Sequence, residues 1–168
     1  MDATEAIRAR RSIRKFVKGA DIPEEHLRLI LEAAMMAPSA CNTRPWDFTV
    51  IKSLEKRQEI AAAHPYARMV TKASLAVVVG ARPDLLPADL LEYWPQDCAA
   101  ATENLLLQAA ALGYGGVWCG VYPDLERVEQ IRQILDTSSV PFNVIALGVP
   151  DENPAARGYY DPSRVRIL

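Results

Sequence analysis

"ENLLLQAAALGYGGVWCG", residues 103–120, is the stretch whose reading decides the fold. Its first half closes an unbroken Ala- and Leu-rich run that predicts a helix from Gln96 to Leu112, with Gly113 at the position just past the end where glycine is favoured. Its second half, "GGVWCG", reads as a short strand. The pair Gly113-x-Gly115 looks outwardly like a dinucleotide fingerprint, but the order is reversed. That fingerprint follows a strand and opens a helix, so that a phosphate meets the unpaired N–H groups of the first turn. Here the glycines leave a helix and enter a strand, which excludes a dinucleotide fold at this point. Two accounts remain. One is a helix cap followed by a tight turn; the other is a bare backbone that lets a flat ligand approach its N–H groups.

Outward from this stretch, helices and strands alternate irregularly. Asp2-x-x-Glu5 has the form of a capping box opening a helix through Ala9. Ile22-Pro23 with Glu24 and Glu25 starts a second helix, in which Leu27, Ile30, Leu31 and Ala34 recur on one face. Pro38 predicts its end near Ala37. A polar loop, "APSACNTRPW", precedes a strand from Asp47 to Ile51 and a helix from Ser53 to Ala63. "SLAVVVG", Ser74 to Gly80, reads as a strand buried on both faces. Asp124 caps a helix to Leu135, and Val140 to Val149 forms another strand. The mixture predicts an α+β class rather than a doubly wound sheet, in one domain over residues 1–168.

Composition is that of a globular protein, half apolar and 24% charged in 168 residues. No apolar run approaches the ~20 residues a bilayer needs, and the N-terminus lacks a signal-peptide pattern, so the expectation is a cytoplasmic protein without membrane contact. Cys41, Cys98 and Cys119 form no CxxC, and His26 and His64 stand alone. That pattern predicts reduced thiols and no metal site. Cys41 reads as an ordinary thiol, because no histidine lies near it in sequence.

Charge is uneven. "RARRSIRKF", residues 8–16, sits in a run from 6 to 20 with six cations and no acid, while the whole chain is at −2. The acidic remainder argues against nucleic acid, since a duplex would be repelled outside the patch. A solvated basic segment and a small-anion site both remain. For the second, Arg10, Ser12 and Arg14 alternate as an extended segment would need to put them on one face, and guanidinium forks suit phosphate oxygens. In the loop, Ser39, Asn42 and Arg44 could meet a polyol or an anion. Trp46, Trp94, Tyr159 and Tyr160 read as core or interface groups. In the tail, "SRVRIL" alternates like a strand, with Arg164 and Arg166 on one face, able to complete an anion site begun by Arg10 and Ser12.

Taken in order, "RRSIRKF", "APSACNTRPW", the alanine-rich helix ending in "LGYGGVWCG" and the basic tail resemble the nitroreductase family over nearly the whole chain. The resemblance implies an α+β sandwich with a central mixed or antiparallel sheet flanked by helices, in an interlocked homodimer with FMN at the interface. It implies FMN phosphate at Arg10, Ser12, Arg164 and Arg166 with Arg11 beside them, and Arg14 near the pyrimidine edge of the ring. Pro38, Ser39 and Asn42 would come from the second subunit. Val117, Trp118, Cys119 and Gly120 would line the ring, with the Cys119 backbone N–H near flavin N5, and no side chain acting as catalyst. Relatives commonly carry glutamine where Arg44 stands, and some place a lysine near the flavin, for which Arg68 and Lys72 are the candidates. The implied activity is NAD(P)H-dependent, ping-pong reduction of a nitroaromatic, quinone or similar flat acceptor. The alternatives are a dehalogenating or flavin-consuming relative, or a non-catalytic FMN-binding or regulatory module.

Overall fold

The central strand explains the rest. In the computed structural model, which describes residues 1–155 and 157–168, β2 (Leu75–Ala81) is buried along its whole length. β-Branched Val77, Val78 and Val79 suit a pleated strand covered on both faces. It pairs antiparallel with β1 (Trp46–Ile51) on one side and with β4 (Val140–Gly148) on the other. β3 (Gly115–Gly120) pairs antiparallel with β4 and forms the second edge, giving the order β1-β2-β4-β3.

Because side chains alternate along a strand, β2 sends them to two separate cores. Leu75, Val77 and Val79 join α2 (Glu24–Met35) and α4 (Trp94–Ala111). Ala76 and Val78 join the opposite cluster, with Ile60 of α3 (Leu54–Ala63) and Ile131 of α5 (Leu125–Leu135). The α+β sandwich is therefore a helix–sheet–helix arrangement, and its sheet is wholly antiparallel. α1 (Ala3–Ala9) carries the expected capping box and lies against α4. α4 ends at Ala111, followed by Gly113 at φ 85°, the left-handed conformation expected of that glycine. Trp94 is buried in the core and Trp46 packs against it.

The tail differs from the sequence reading. Residues 162–164 form a 3-10 turn in which Asp161 accepts from Ser163 N–H at 3.0 Å, and 165–168 are not a strand. Alternation makes a strand only where a sheet edge is there to pair with it, and these residues meet none in their own chain. Ile167 is 92% exposed. Tyr159 and Tyr160 are exposed too, so neither belongs to this chain's core.

One glycine ties fold to site. A Cβ on Gly115 would lie 2.6 Å from Ile13 Cγ1, the residue that seats the basic segment on β3. Gly115→Ala should cost about 1–3 kcal/mol in denaturant unfolding, by overpacking. Its damage should fall on the segment carrying Arg10 to Arg14. A variant as stable as the parent would show that the segment is not held by this contact.

Candidate functional site

The basic segment leaves α1 at Arg10, the helix C-cap, and runs extended. Ile13 N–H donates to Gly116 O at 3.0 Å and Val17 N–H to Val149 O at 2.9 Å. Ile13 and Phe16 are buried. Asp151 N–H bonds Lys15 O at 2.9 Å, and the Glu152 carboxylate accepts from the backbone N–H of Arg14 and of Lys15. Those bonds, the one from Arg14 foremost, hold the Glu152 carboxyl below its ordinary range. Glu152 is a structural acid that sequence reasoning missed; no local pattern marks a contact spanning most of the chain.

With Ile13 and Phe16 turned inward, Arg10, Arg11, Ser12 and Arg14 line a cleft of about 440 Å³, closed by Glu152, Pro154 and Arg157. Arg10 Nε lies 3.0 Å from Glu103 Oε1, and Arg11 Nε is buried without an acceptor. Four guanidiniums line the cleft against the carboxylate of Glu152, with Glu103 engaging Arg10 alone, so the cleft is a cation-rich anion site with unspent donors. Arg157 belongs to this group.

A second cleft, of about 560 Å³, adjoins through Arg14, which lines both. Its walls are Val117 to Gly120 on one side and His64, Pro65, Tyr66, Arg68 and Met69 on the other. Of the two cationic candidates in that region, Arg68 lines the cleft and Lys72 does not.

The edge of β3 decides what this cleft offers. In an antiparallel ladder, residues turn both N–H and C=O toward the partner strand or both away, in alternation. Val121 N–H donates to Phe142 O on β4, whereas Gly116 O accepts from Ile13 on the opposite side. With the register Cys119↔Val144, Val117 and Cys119 spend their backbone groups on β4. Trp118 and Gly120 turn theirs outward. This corrects the expected donor: the Cys119 N–H is inside the ladder, and the outward N–H groups are those of Trp118 and Gly120. Gly120 O, also outward, accepts from His64 Nε2 at 2.8 Å and from Arg127 Nη1 at 3.4 Å.

Side chains follow the same alternation. Val117 and Cys119 are buried, and Trp118, 37% exposed, stands edge-on to Phe142 with centroids 5.4 Å apart. Burial pushes the Cys119 thiol up to about 11, so it is protonated at neutral pH and is no nucleophile. Among the described residues, no group of His, Cys, Asp and Glu could hold a metal ion, and no helix is long and apolar enough to cross a membrane.

The loop residues lie elsewhere. Pro38, Ser39 and Asn42 line neither cleft. Their loop is strained and self-bonded: Cys41, Asn42 and Arg44 have φ of 49°, 57° and 50°. Ser39 Oγ accepts from Arg44 N–H, Asn42 Oδ1 accepts from Arg44 Nε, and Asp97 Oδ1 accepts from Ala40 N–H at 3.0 Å. Arg164 and Arg166 also line neither cleft; Arg164 Nε donates to Asp161 at 3.2 Å. Within one chain, then, the geometry gathers Arg10, Arg11, Ser12, Arg14 and Val117–Gly120, and leaves out the loop and the last two arginines.

Comparison with known proteins matches this chain over residues 7–93 and 64–149 to the family model described as Nitroreductase family. A protein of Methanothermobacter thermautotrophicus, provisionally named NADH dehydrogenase/NAD(P)H nitroreductase, is 44% identical over 99% of this chain and 87% of its own length. A crystal structure from Bacteroides thetaiotaomicron with the same provisional name superposes with a TM-score of 0.91 at 34% identity, covering 98% of this chain and 96% of that one. A protein from Desulfovibrio desulfuricans, provisionally named a nitroreductase and solved in complex with FMN, gives a TM-score of 0.83 at 28% identity, over 100% and 97% of the two chains.

Proposed function

The chain belongs to the nitroreductase family, and from that premise we propose that it is an FMN-dependent oxidoreductase using NAD(P)H, working as a single domain in a cytoplasmic homodimer. The observation that carries the cofactor is the pair of clefts joined at Arg14: a cation-rich end suited by charge to a phosphate, and a bare strand edge suited to a flat ring. The residues fit the group. Arg10, Arg11, Ser12 and Arg157 would hold the phosphate, whose charge is close to two at neutral pH. The outward N–H groups of Trp118 and Gly120 would meet acceptor atoms on the ring edge. Arg14 sets a fixed positive charge between the two ends and favours the ring when it carries extra negative charge.

When bound, FMN supplies the redox chemistry, taking a hydride from NAD(P)H and passing electrons, in ping-pong order, to a flat acceptor such as a nitroaromatic or quinone. The protein's own part is to bind, orient and polarise. Its thiols are not nucleophiles in this scheme, and both nitrogens of the histidine lining the ring cleft are engaged with backbone. Proton traffic is therefore left to solvent and cofactor.

The second copy supplies what one chain does not gather. Pro38, Ser39 and Asn42 sit on a preformed loop outside both clefts, and Arg164, Arg166, Ile167 and Leu168 are exposed. A twofold partner would bring such groups to the rim of the site and cover the apolar ones. The test is direct. Purified protein should be yellow, should elute as a dimer, and should bleach on anaerobic addition of NADH or NADPH. A colourless protein that takes up no added FMN, or a flavin that neither nucleotide bleaches, overturns the reading.

A further inference from the structure

His64 stands at the end of α3, where its N–H still bonds Ile60 O at 2.9 Å while its own backbone has turned extended. The side chain is only 1% exposed, yet it lines the ring cleft. Both ring nitrogens are occupied. Nδ1 accepts from Tyr66 N–H at 3.3 Å, so it carries no proton, and the hydrogen sits on Nε2, which points at Gly120 O at 2.8 Å. The tautomer is thus set by the backbone on one side and used by the backbone on the other. A histidine with both nitrogens spent in this way cannot exchange protons with a substrate while the bonds hold.

What it can do is fix a peptide. Gly120 lies on an exposed sheet edge, has no side chain, and would otherwise have its carbonyl held only by Arg127 at 3.4 Å, a guanidinium already paired with Asp124 at 2.9 Å. Its N–H and C=O turn to the same side of the strand, so anchoring the carbonyl also sets the direction of the N–H. The same imidazole holds Tyr66, whose carbonyl accepts from the Cys119 thiol at 3.5 Å. One side chain therefore ties together the two walls of the cleft.

We infer that His64 is a positioning residue for the redox site: as the neutral Nε2–H tautomer it clamps the Gly120 carbonyl and so aims the Gly120 N–H at the cofactor ring, while its Nδ1 holds the facing wall through Tyr66. The inference rests on the reading of the cleft as an FMN site. Acid undoes the clamp on one side, because a proton on Nδ1 faces the Tyr66 N–H donor. Burial keeps the imidazole neutral, holding its pKa below the ordinary value; Arg127 adds to that, while the bond to the Gly120 carbonyl and the Asp124 carboxylate oppose it. Arg14 and Arg68, lining the same cleft, are the other charges facing it. The stability contributed by a neutral His64 is complete above about pH 6.5 and is lost as pH falls through the lowered folded value.

The experiment compares wild type, His64→Phe and His64→Gln, all loaded with FMN. The readouts are the FMN dissociation constant and the rate of flavin reduction by NADH per bound flavin. His64→Phe keeps the shape but has no donor; FMN affinity and per-flavin rate should each fall about tenfold, the loss expected of one aimed hydrogen bond. Glutamine can still donate to Gly120 O and should stay within about threefold of wild type. A merely structural histidine would lower stability in both variants and leave the per-flavin rate alone. The second measurement is the pH dependence of the FMN dissociation constant between about pH 8 and 5. Wild type should weaken more steeply toward acid than His64→Gln, which shares the titration of the FMN phosphate but lacks the imidazole. If His64→Phe binds and reduces FMN like wild type, the clamp is wrong and the flavin reading stands. If His64→Phe does not fold, parallel pH curves for wild type and His64→Gln overturn the clamp and diverging ones support it. If wild type takes up no FMN, the reading of the site falls first and the clamp with it.

Discussion

Replacing Arg10 and Ser12 together by alanine should weaken FMN binding by about a hundredfold or more, since each hydrogen bond to a charged group contributes about 1.5–3 kcal/mol. The fold should hardly notice. Ser12 Oγ has no hydrogen-bond partner among the described residues, and the contact of this segment with Gly116 is made by backbone, which alanine keeps. Arg10 is partly exposed, and its Glu103 partner is more exposed still. An exposed pair of this kind contributes little to stability. Once Arg10 is gone, Glu103 is left beside the cleft as an uncompensated anion, which adds to the loss of phosphate affinity. Titration of apo protein with FMN, read by fluorescence quenching, measures the effect, and a thermal midpoint on the same samples checks that the fold is intact. Retention of yellow flavin at full occupancy after purification would place the phosphate elsewhere. The same titration ranks the arginines of the tail. Arg157→Ala removes a residue that lines the cleft and should cost more than Arg164→Ala with Arg166→Ala, which reach it only if a second copy delivers them.

Elements with their own local chemistry were legible: the Asp2–Glu5 capping box, the Gly113 stop, the apolar run of β2, and the Asp124 cap of α5 all stand where periodicity and capping put them. Arg10, Ser12 and Arg14 were legible as a group because an extended segment puts alternate residues on one face; the alternation is not strict, since Arg11 lines the same cleft and Phe16, in phase with them, is buried. Three things were not. Glu152 and Arg157 join the cleft through tertiary folding of a segment with no periodicity. The tail alternates in sequence, but alternation cannot say whether an edge is available. The choice between Cys119 and Gly120 depends on the phase of a ladder, and one residue of shift exchanges every inward N–H for an outward one. No pattern in "GGVWCG" carries that phase; it comes from where Ile13 docks and where Phe142 closes the far end.

That phase supports a sharper test. Gly120→Pro deletes one of the two N–H groups proposed to face the ring, and it does so where a proline costs no ladder bond. Edge strands accept proline when the N–H side points out of the sheet, and the residue before it must be extended, as Cys119 is. The carbonyl that His64 clamps remains. FMN affinity should fall about tenfold and the rate of reduction per bound flavin by about ten- to a hundredfold, the range expected for losing an aimed donor at a reacting centre. Gly120→Ala is the control: an added Cβ would meet nothing closer than Trp118 Nε1 at 4.0 Å, and the N–H is kept, so affinity and rate should stay near wild type. Cys119→Ala should be equally mild, since its thiol is buried and protonated and its N–H survives the change. Cys119→Pro is a different experiment: it removes a bond between β3 and β4 and should unfold the edge rather than silence the site. If Gly120→Pro folds and its flavin is reduced at the wild-type rate, the outward N–H has no part in the chemistry, and the contact to the ring must be sought at Trp118 or on the opposite wall of the cleft.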